Sequence, residues 1–132
     1  MASRTAAPQG LCDDERVPTV LVVDDHPSFR ASASALLQAE GYEVVGEAAD
    51  GREALEALES GCPDVVLLDV QLPDIDGFEV AAQLRDRGCP ARVVLVSSRD
   101  GADFGPLVEE SGAVGFIPKS ELCADTLAQL LR

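Results

Sequence analysis

The sequence lacks tryptophan and has one tyrosine, one histidine and one methionine among its 132 residues. It also lacks any apolar run near the roughly 20 residues that a membrane-spanning helix needs. Residues 1–17 do not contain the apolar core of a secretory signal. We therefore expect a cytoplasmic protein with no membrane partner.

Basic residues are scarce, because 10 Lys and Arg stand against 24 Asp and Glu, which gives a formal charge of −14. The phosphates of nucleic acids would be repelled by such a chain. We therefore expect no direct nucleic-acid binding.

The four cysteines, Cys12, Cys62, Cys89 and Cys123, form neither a Cys-x-x-Cys pair nor a zinc-binding spacing. Thiols of cytoplasmic proteins are normally kept reduced. We expect reduced cysteines that serve as small packing or surface residues.

Five short apolar runs alternate with segments of helical periodicity. The predicted strands cover about 19–23, 42–48, 64–68, 92–96 and 114–117. The predicted helices follow them, the fourth at about 102–111 and the fifth at about 122–131, and Asp50 with Glu53 predicts a capping box at the second. This alternation predicts an α/β domain over 18–132, a parallel sheet with helices on both faces. Residues 1–17 have no sustained periodicity and are predicted to be a flexible leader.

Chemically active side chains follow four of these runs. Asp24 and Asp25 follow the first strand, Asp69 the third, Ser97 the fourth and Lys119 the fifth. In an open α/β sheet, ligands bind at the carboxyl ends of the strands. We therefore expect three carboxylates, a hydroxyl and an ammonium to converge at one edge, where they suit a divalent cation and a phosphoryl group.

The chain resembles the receiver domain of response regulators in two-component signalling. The matching motifs are Asp24-Asp25, Asp69 within residues 68–77, Ser97-Ser98 and the segment 116–119. The resemblance extends over about residues 18 to 132 and is strongest to receivers usually fused to a helix-turn-helix output domain. It implies a flavodoxin-like (βα)5 three-layer sandwich with strand order 2-1-3-4-5.

The resemblance also implies a Mg²⁺ site beside the phosphoacceptor. Asp69 is the residue that would accept the phosphoryl group. Asp25, Asp69 and the backbone carbonyl of Gln71 would ligate Mg²⁺, and Asp24 would act through water.

Three further roles follow from the same resemblance. Lys119 and Ser97 would contact the phosphoryl oxygens, and Ser97 with Phe116 would form the conformational switch. His26, the one histidine, would border the site entrance.

The implied function is a signalling module rather than an enzyme. The phosphoryl donor would be a sensor histidine kinase or a phosphotransfer protein, and helix 4, strand 5 and helix 5 would contact an unknown downstream protein. Whether the chain forms a homodimer stays open. The alternatives are a pseudo-receiver adaptor that works without phosphate, or the receiver fragment of a transcriptional regulator. A phosphatase using Asp-x-Asp is disfavoured, because Gln71 stands where the second aspartate would be.

Overall fold

A computed structural model describes residues 17–98, 104 and 106–131. The strands are β1 (Thr19–Val23), β2 (Glu43–Ala48), β3 (Val65–Asp69), β4 (Arg92–Ser97) and β5 (Gly115–Pro118). The helices are α1 (Pro27–Ala39), α2 (Gly51–Leu58), α3 (Gly77–Asp86), α4 (Leu107–Glu110) and α5 (Ala124–Leu131). All strands pair in parallel in the order β2-β1-β3-β4-β5, so the predicted flavodoxin-like fold is confirmed. Within the described ranges, no helix has the length and apolar character needed to cross a membrane.

The hydrophobic core lies in two layers, one on each face of the sheet. Successive strand residues point to opposite faces, so each central strand contributes to both layers. One layer contains Val20, Val22, Val65, Leu67, Val94 and Val96 with side chains of α1 and α5. The other contains Leu21, Val23, Val66, Leu68, Val93 and Leu95 with side chains of α2 and α3. Each fully buried Val or Leu contributes about 1.5–3 kcal/mol, and this burial holds the strand ends in place.

Several predicted boundaries differ from the structure by one or two residues: β2 begins at Glu43, β4 ends at Ser97, β5 covers Gly115–Pro118 and α5 begins at Ala124. β3 begins and ends one residue later than predicted, so Asp69 is its last residue. α4 covers Leu107–Glu110, and most of the N-terminal part predicted for it lies outside the described residues. A 3-10 helix at Lys119–Glu121, which the periodicity did not predict, precedes α5. The predicted leader also lies outside the described residues, apart from Val17.

The predicted capping box of α2 is present. The Asp50 carboxylate accepts a hydrogen bond from the Glu53 N–H at 2.8 Å. The Glu53 carboxylate accepts one from the Ala49 N–H at 2.9 Å, one residue before the expected partner. Both bonds satisfy backbone donors that a helix start leaves without partners.

A second carboxylate reaches the start of α2 from a different segment. Asp74, in the loop after β3, accepts hydrogen bonds from the N–H groups of Gly51 and Arg52, both at 2.9 Å. It also accepts one from the Ile75 N–H at 2.8 Å. A Cβ at Gly51 would overlap the Ile75 side chain, so glycine permits this close approach.

Asp74→Ala is expected to lower the free energy of unfolding by about 1–2 kcal/mol, because two N–H groups at the start of α2 lose their acceptor. Asp74→Asn keeps one acceptor oxygen and should lose clearly less. Urea unfolding of both variants measures the difference. Equal losses in the two variants would contradict a capping role.

The structure corrects the prediction that the cysteines are reduced and unpaired. Cys62 and Cys89 form a disulfide, with a Cα–Cα distance of 6.0 Å across a sequence separation of 27. Cys123 is a free, exposed cysteine. A separation of 27 residues does not indicate a disulfide in the sequence alone. The two cysteines come into contact only when β3 and β4 pair.

Candidate functional site

The polar residues at the carboxyl ends of the strands lie together, as the sequence predicted. Asp24 follows β1, Asp69 ends β3 and Ser97 ends β4, and all three are buried. Lys119 directly follows β5, and its side chain is 14% exposed. β3 is the central strand of the sheet, so Asp69 has β1 on one side and β4 on the other.

Asp69 is held by contacts to both of its oxygens. The Gln71 N–H donates to Oδ1 at 3.0 Å, and the Lys119 ammonium lies 3.4 Å from Oδ2. The start of α3 packs directly on this residue, because a Cβ at Gly77 would overlap the Asp69 carbonyl oxygen. The Asp69 carboxylate is therefore held in place by the Gln71 N–H, in the loop after β3, and by Lys119, at the end of β5.

Burial raises the pKa of Asp69 from 3.8 to about 6. The negative charge of Asp24 raises this pKa as well, whereas the Gln71 hydrogen bond and the Lys119 ammonium lower it. The larger cause is desolvation, which the position of Asp69 in the central strand explains.

Asp69→Asn is expected to stabilise the metal-free protein at pH 7.5, by on the order of 1–3 kcal/mol. The folded wild type binds more protons than the unfolded chain between pH 3.8 and about 6. Its stability relative to the variant should therefore fall as the pH rises through that window and stay constant above it.

Urea unfolding at pH 4 and pH 7.5, in the presence of a chelator, measures this difference. Asp86→Asn, an exposed position at the end of α3, provides the control for charge alone. A variant stability that runs parallel to wild type across the window would contradict the raised pKa.

The acidic cluster can hold a cation. Asp24, Asp25, His26 and Asp69 each offer one ligand atom, and these atoms lie within 4.8 Å of one another. In the described part of the chain, the buried oxygens Asp24 Oδ2 and Asp25 Oδ1 accept no well-aligned hydrogen bond, although the Lys119 ammonium lies 2.5 Å from the first and His26 Nδ1 lies 3.1 Å from the second. Carboxylate oxygens are the ligands that Mg²⁺ prefers, so the residues present fit a hard divalent ion.

Lys119 lies between the acidic cluster and an aromatic ring. Its ammonium is 2.5 Å from Asp24 Oδ2 and 4.6 Å from the centre of the Phe29 ring. A cation above an aromatic face is attracted by the ring's negative potential. Phe29 lies in α1, and the helical periodicity of that segment gives no indication of a contact with the end of β5.

Arg30 is a second residue that the sequence did not reveal. Its guanidinium donates to the Asp24 carbonyl at 2.6 Å and to Glu47 at 3.2 Å. Ser34 also donates to Glu47, at 3.1 Å. Arg30 therefore ties the turn that carries Asp24 and Asp25 to the edge strand β2.

His26 is part of the acidic cluster. Its backbone N–H donates to Asp24 Oδ1 at 2.7 Å, and its Nδ1 lies 3.1 Å from an oxygen of both Asp24 and Asp25. The side chain is 65% exposed, so it stands at the outer side of the site, in line with the sequence expectation.

Ser97 and Phe116 lie on neighbouring strands, two residues apart in register, on the same face of the sheet. Ser97 is opposite Pro118, and Phe116 is opposite Leu95, in the pairing of β4 with β5. The half-buried Phe116 ring is 5.5 Å from Phe104, which lies 5.5 Å from Phe78. This aromatic row links β5 to the start of α3.

Comparison with known proteins identifies the family. The response regulator receiver domain family matches residues 20–132. The chain belongs to this family. It is 40% identical to the transcriptional regulatory protein NarL of Mycobacterium tuberculosis over 85% of the chain and 52% of the relative.

Solved receiver structures superpose closely on this receiver domain. The signal receiver domain of NarL from Mycobacterium tuberculosis has a TM-score of 0.75 and 39% identity, over 86% of this chain and 95% of that one. A LuxR-family two-component response regulator from Aurantimonas has a TM-score of 0.77 and 32% identity, over 87% and 86% of the two chains. The receiver domain described here spans about half the length of its curated relative NarL.

Proposed function

We propose that the chain is a signalling module that accepts a phosphoryl group on Asp69 and changes its protein contacts in response. One observation carries the proposal: the carboxylate of Asp69 is buried at the carboxyl edge of the sheet, beside Asp24 and within 3.4 Å of the Lys119 ammonium. A carboxylate with a cation and further acidic groups beside it suits phosphoryl transfer, in which positioning and charge neutralisation do most of the work.

In the proposed reaction, an oxygen of Asp69 forms a bond to phosphorus as the bond from phosphorus to the donor breaks. With a phosphohistidine donor, the imidazole leaves and takes up a proton. Lys119 is already placed beside Asp69 Oδ2, where it would balance negative charge on the phosphoryl oxygens. The Gln71 N–H keeps the other oxygen oriented.

Asp24, Asp25, Asp69 and the backbone carbonyl of Gln71 are the proposed holders of Mg²⁺. Bound there, the ion supplies positive charge to the phosphoryl oxygens and relieves repulsion among the carboxylates. The clustering of carboxylate oxygens from Asp24, Asp25 and Asp69 within 4.8 Å of one another supports this assignment. Arg30 would keep the turn that carries Asp24 and Asp25 in place through its bond to the Asp24 carbonyl.

Ser97 and Phe116 are the proposed switch. The phosphoryl group would add oxygen acceptors near the end of β4, which favours a conformation where the Ser97 hydroxyl turns toward them. Phe116, on the neighbouring strand, packs in the aromatic row with Phe104. A shift of β4 would therefore move the Phe116 ring and change the surface formed by α4, β5 and α5.

Ser97→Ala is expected to keep phosphoryl uptake on Asp69 and to lose the response of that surface. The variant retains Asp69, the acidic cluster and Lys119. It lacks only the hydroxyl that would donate a hydrogen bond to the phosphoryl oxygens. NMR spectra recorded with and without beryllofluoride measure the response. Identical shifts around α4 and β5 in wild type and Ser97→Ala would refute the coupling.

The donor is proposed to be a sensor histidine kinase or a phosphotransfer protein, and the receiver's output is proposed to be protein contact rather than catalysis. We propose a cytoplasmic location, where such donors act. A specific observation favours one variant of this function: the chain spans about half of its curated relatives, which are regulators of transcription by name. It would then be the receiver part of a transcriptional regulator, and a phosphate-independent adaptor is the remaining alternative.

The test is incubation with Mg²⁺ and acetyl phosphate, followed by intact mass measurement. A gain of one phosphoryl group that disappears at alkaline pH, as an acyl phosphate does, is expected. A chain that stays unmodified with acetyl phosphate and with phosphorylated donor proteins would contradict the proposal and favour the adaptor.

A further inference from the structure

The same tripeptide, Gly-Cys-Pro, follows two helices of this receiver domain. Residues 61–63 connect α2 to β3, and residues 88–90 connect α3 to β4. In each case the glycine has a positive φ, 141° at Gly61 and 74° at Gly88, a conformation that glycine adopts at low cost. Each connector therefore turns in a defined way and presents its cysteine just before a strand.

The sheet brings the two connectors side by side. Val65 of β3 is opposite Arg92 of β4, an offset of 27 residues, and the two cysteines are also separated by 27. The Arg92 N–H donates to the Asp64 carbonyl at 2.9 Å, which continues the pairing toward the cysteines. Cys62 and Cys89 thus occupy equivalent places at the amino edge of the sheet, opposite the Asp69 edge.

We propose that Cys62 and Cys89 are a reversible thiol–disulfide pair, a second covalent input whose oxidant is a low-molecular-weight disulfide such as oxidised glutathione. The proposal rests on the cytoplasmic location proposed above, but it does not require phosphoryl transfer to Asp69. Persistent disulfides belong to oxidising compartments, whereas those of cytoplasmic proteins are mostly transient or redox-sensing. Cys62 is exposed, and exposed disulfides are the more readily exchanged ones.

A cavity beside Cys62 offers room for the small thiol. It has a volume of about 470 Å³ and lies between α2 and the β1–β2 edge, with Val45, Ala57 and Ser60 among its lining. This volume falls in the range of about 300–1,000 Å³ typical of small-molecule sites. None of the described residues that line it is charged. It can therefore accept a tripeptide thiol attached to Cys62 without opposing its charge directly.

The step balances as an exchange of two thiols for one disulfide. The Cys62 thiolate attacks one sulfur of oxidised glutathione, and one glutathione thiol leaves. The Cys89 thiolate then attacks the mixed disulfide at Cys62, and the second glutathione leaves. Two S–H bonds are lost from the protein, one S–S bond forms, and the two electrons and two protons end on the two glutathione molecules.

The bond would close a loop that contains β3, Asp69 and α3. Cross-linking restricts the unfolded chain, and for a loop of 27 residues we expect an increase in Tm of about 10 °C. The bond lies at the opposite edge of the sheet from Asp69. Phosphoryl uptake should therefore differ less than about two-fold between the oxidised and reduced forms.

The experiment uses the full chain carrying Cys12→Ser and Cys123→Ser, so that two cysteines remain. The protein is equilibrated with mixtures of reduced and oxidised glutathione, treated with N-ethylmaleimide and analysed by intact mass and thermal unfolding. We expect a monomer that has lost two hydrogen atoms, is not alkylated and melts about 10 °C higher. Excess reduced glutathione should restore the dithiol. Adding Cys62→Ser or Cys89→Ser should abolish both effects.

Two results would overturn the proposal. One is that both thiols remain alkylatable, or carry only glutathione, in excess oxidised glutathione. The other is a bond that excess reduced glutathione cannot open in the folded protein. If a serine variant fails to fold, the comparison of oxidised and reduced protein in the two-cysteine background still decides. Absent phosphoryl uptake in both forms would count against the phosphoryl function and leave the thiol pair standing.

Discussion

Asp69→Asn is expected to fold as wild type does and to take up no phosphoryl group from acetyl phosphate or a phosphorylated donor. The amide that replaces the carboxylate is a poor nucleophile and cannot form an acyl phosphate. Uptake should fall by at least about 100-fold, to the level of nonspecific labelling. Intact mass after incubation with Mg²⁺ and donor measures it.

The competing acceptors in the cluster are Asp24 and Asp25. Both are proposed to hold the cation, and a phosphoryl group on either would displace the ion that transfer uses. The Asp24 carboxylate is also engaged by Lys119 at 2.5 Å and by the His26 N–H at 2.7 Å. Asp86→Asn, with the same charge change at an exposed place, should be labelled as wild type is. Labelling of Asp69→Asn comparable to wild type would defeat the assignment.

Asp25→Ala is expected to remove the response to Mg²⁺. In wild type, an ion that binds only the folded state stabilises it by about 1.4 kcal/mol at ten times its Kd, a shift of several degrees in Tm. The variant loses the Asp25 carboxylate, one of the three carboxylates of the acidic cluster. Its Tm should be the same with Mg²⁺ and with a chelator, and its phosphoryl uptake should fall by about 100-fold.

The two readouts separate binding from chemistry. Thermal unfolding in a Mg²⁺ series reports binding without any donor, and intact mass reports transfer. Asp86→Asn again controls for net charge, since it should keep the full Mg²⁺ shift. A wild-type Tm that does not change with Mg²⁺ would show that the acidic cluster is not a cation site, whatever the outcome of the transfer assay.

Much of the fold could be predicted because its signals are local. β1, β3 and β4 are continuous apolar runs, and such runs indicate strands that are buried on both faces. The capping of α2 by Asp50 depends on residues three positions apart, which sequence shows directly. The places of Asp24, Asp69 and Lys119 followed from strand ends, since parallel strands present their carboxyl ends at one edge.

Other features were decided by segments far apart in the chain. Asp74 caps α2 from 22 and 23 residues away, and Lys119 contacts the Phe29 ring across a sequence separation of 90 residues. The raised pKa of Asp69 comes first from burial, which depends on layers packing on both faces. None of these contacts leaves a periodic or short-range pattern.

The two Gly-Cys-Pro segments show which features depend on local sequence and which depend on the tertiary structure. The sequence alone determined that each follows a helix and precedes a strand, because glycine, proline and the apolar runs act on their near neighbours. Only the tertiary structure decided that Cys62 meets Cys89, because that contact needs β3 and β4 to be adjacent and paired at an offset of 27. Strand order and register arise from the packing of the whole core, and this is why they cannot be found in either segment by itself.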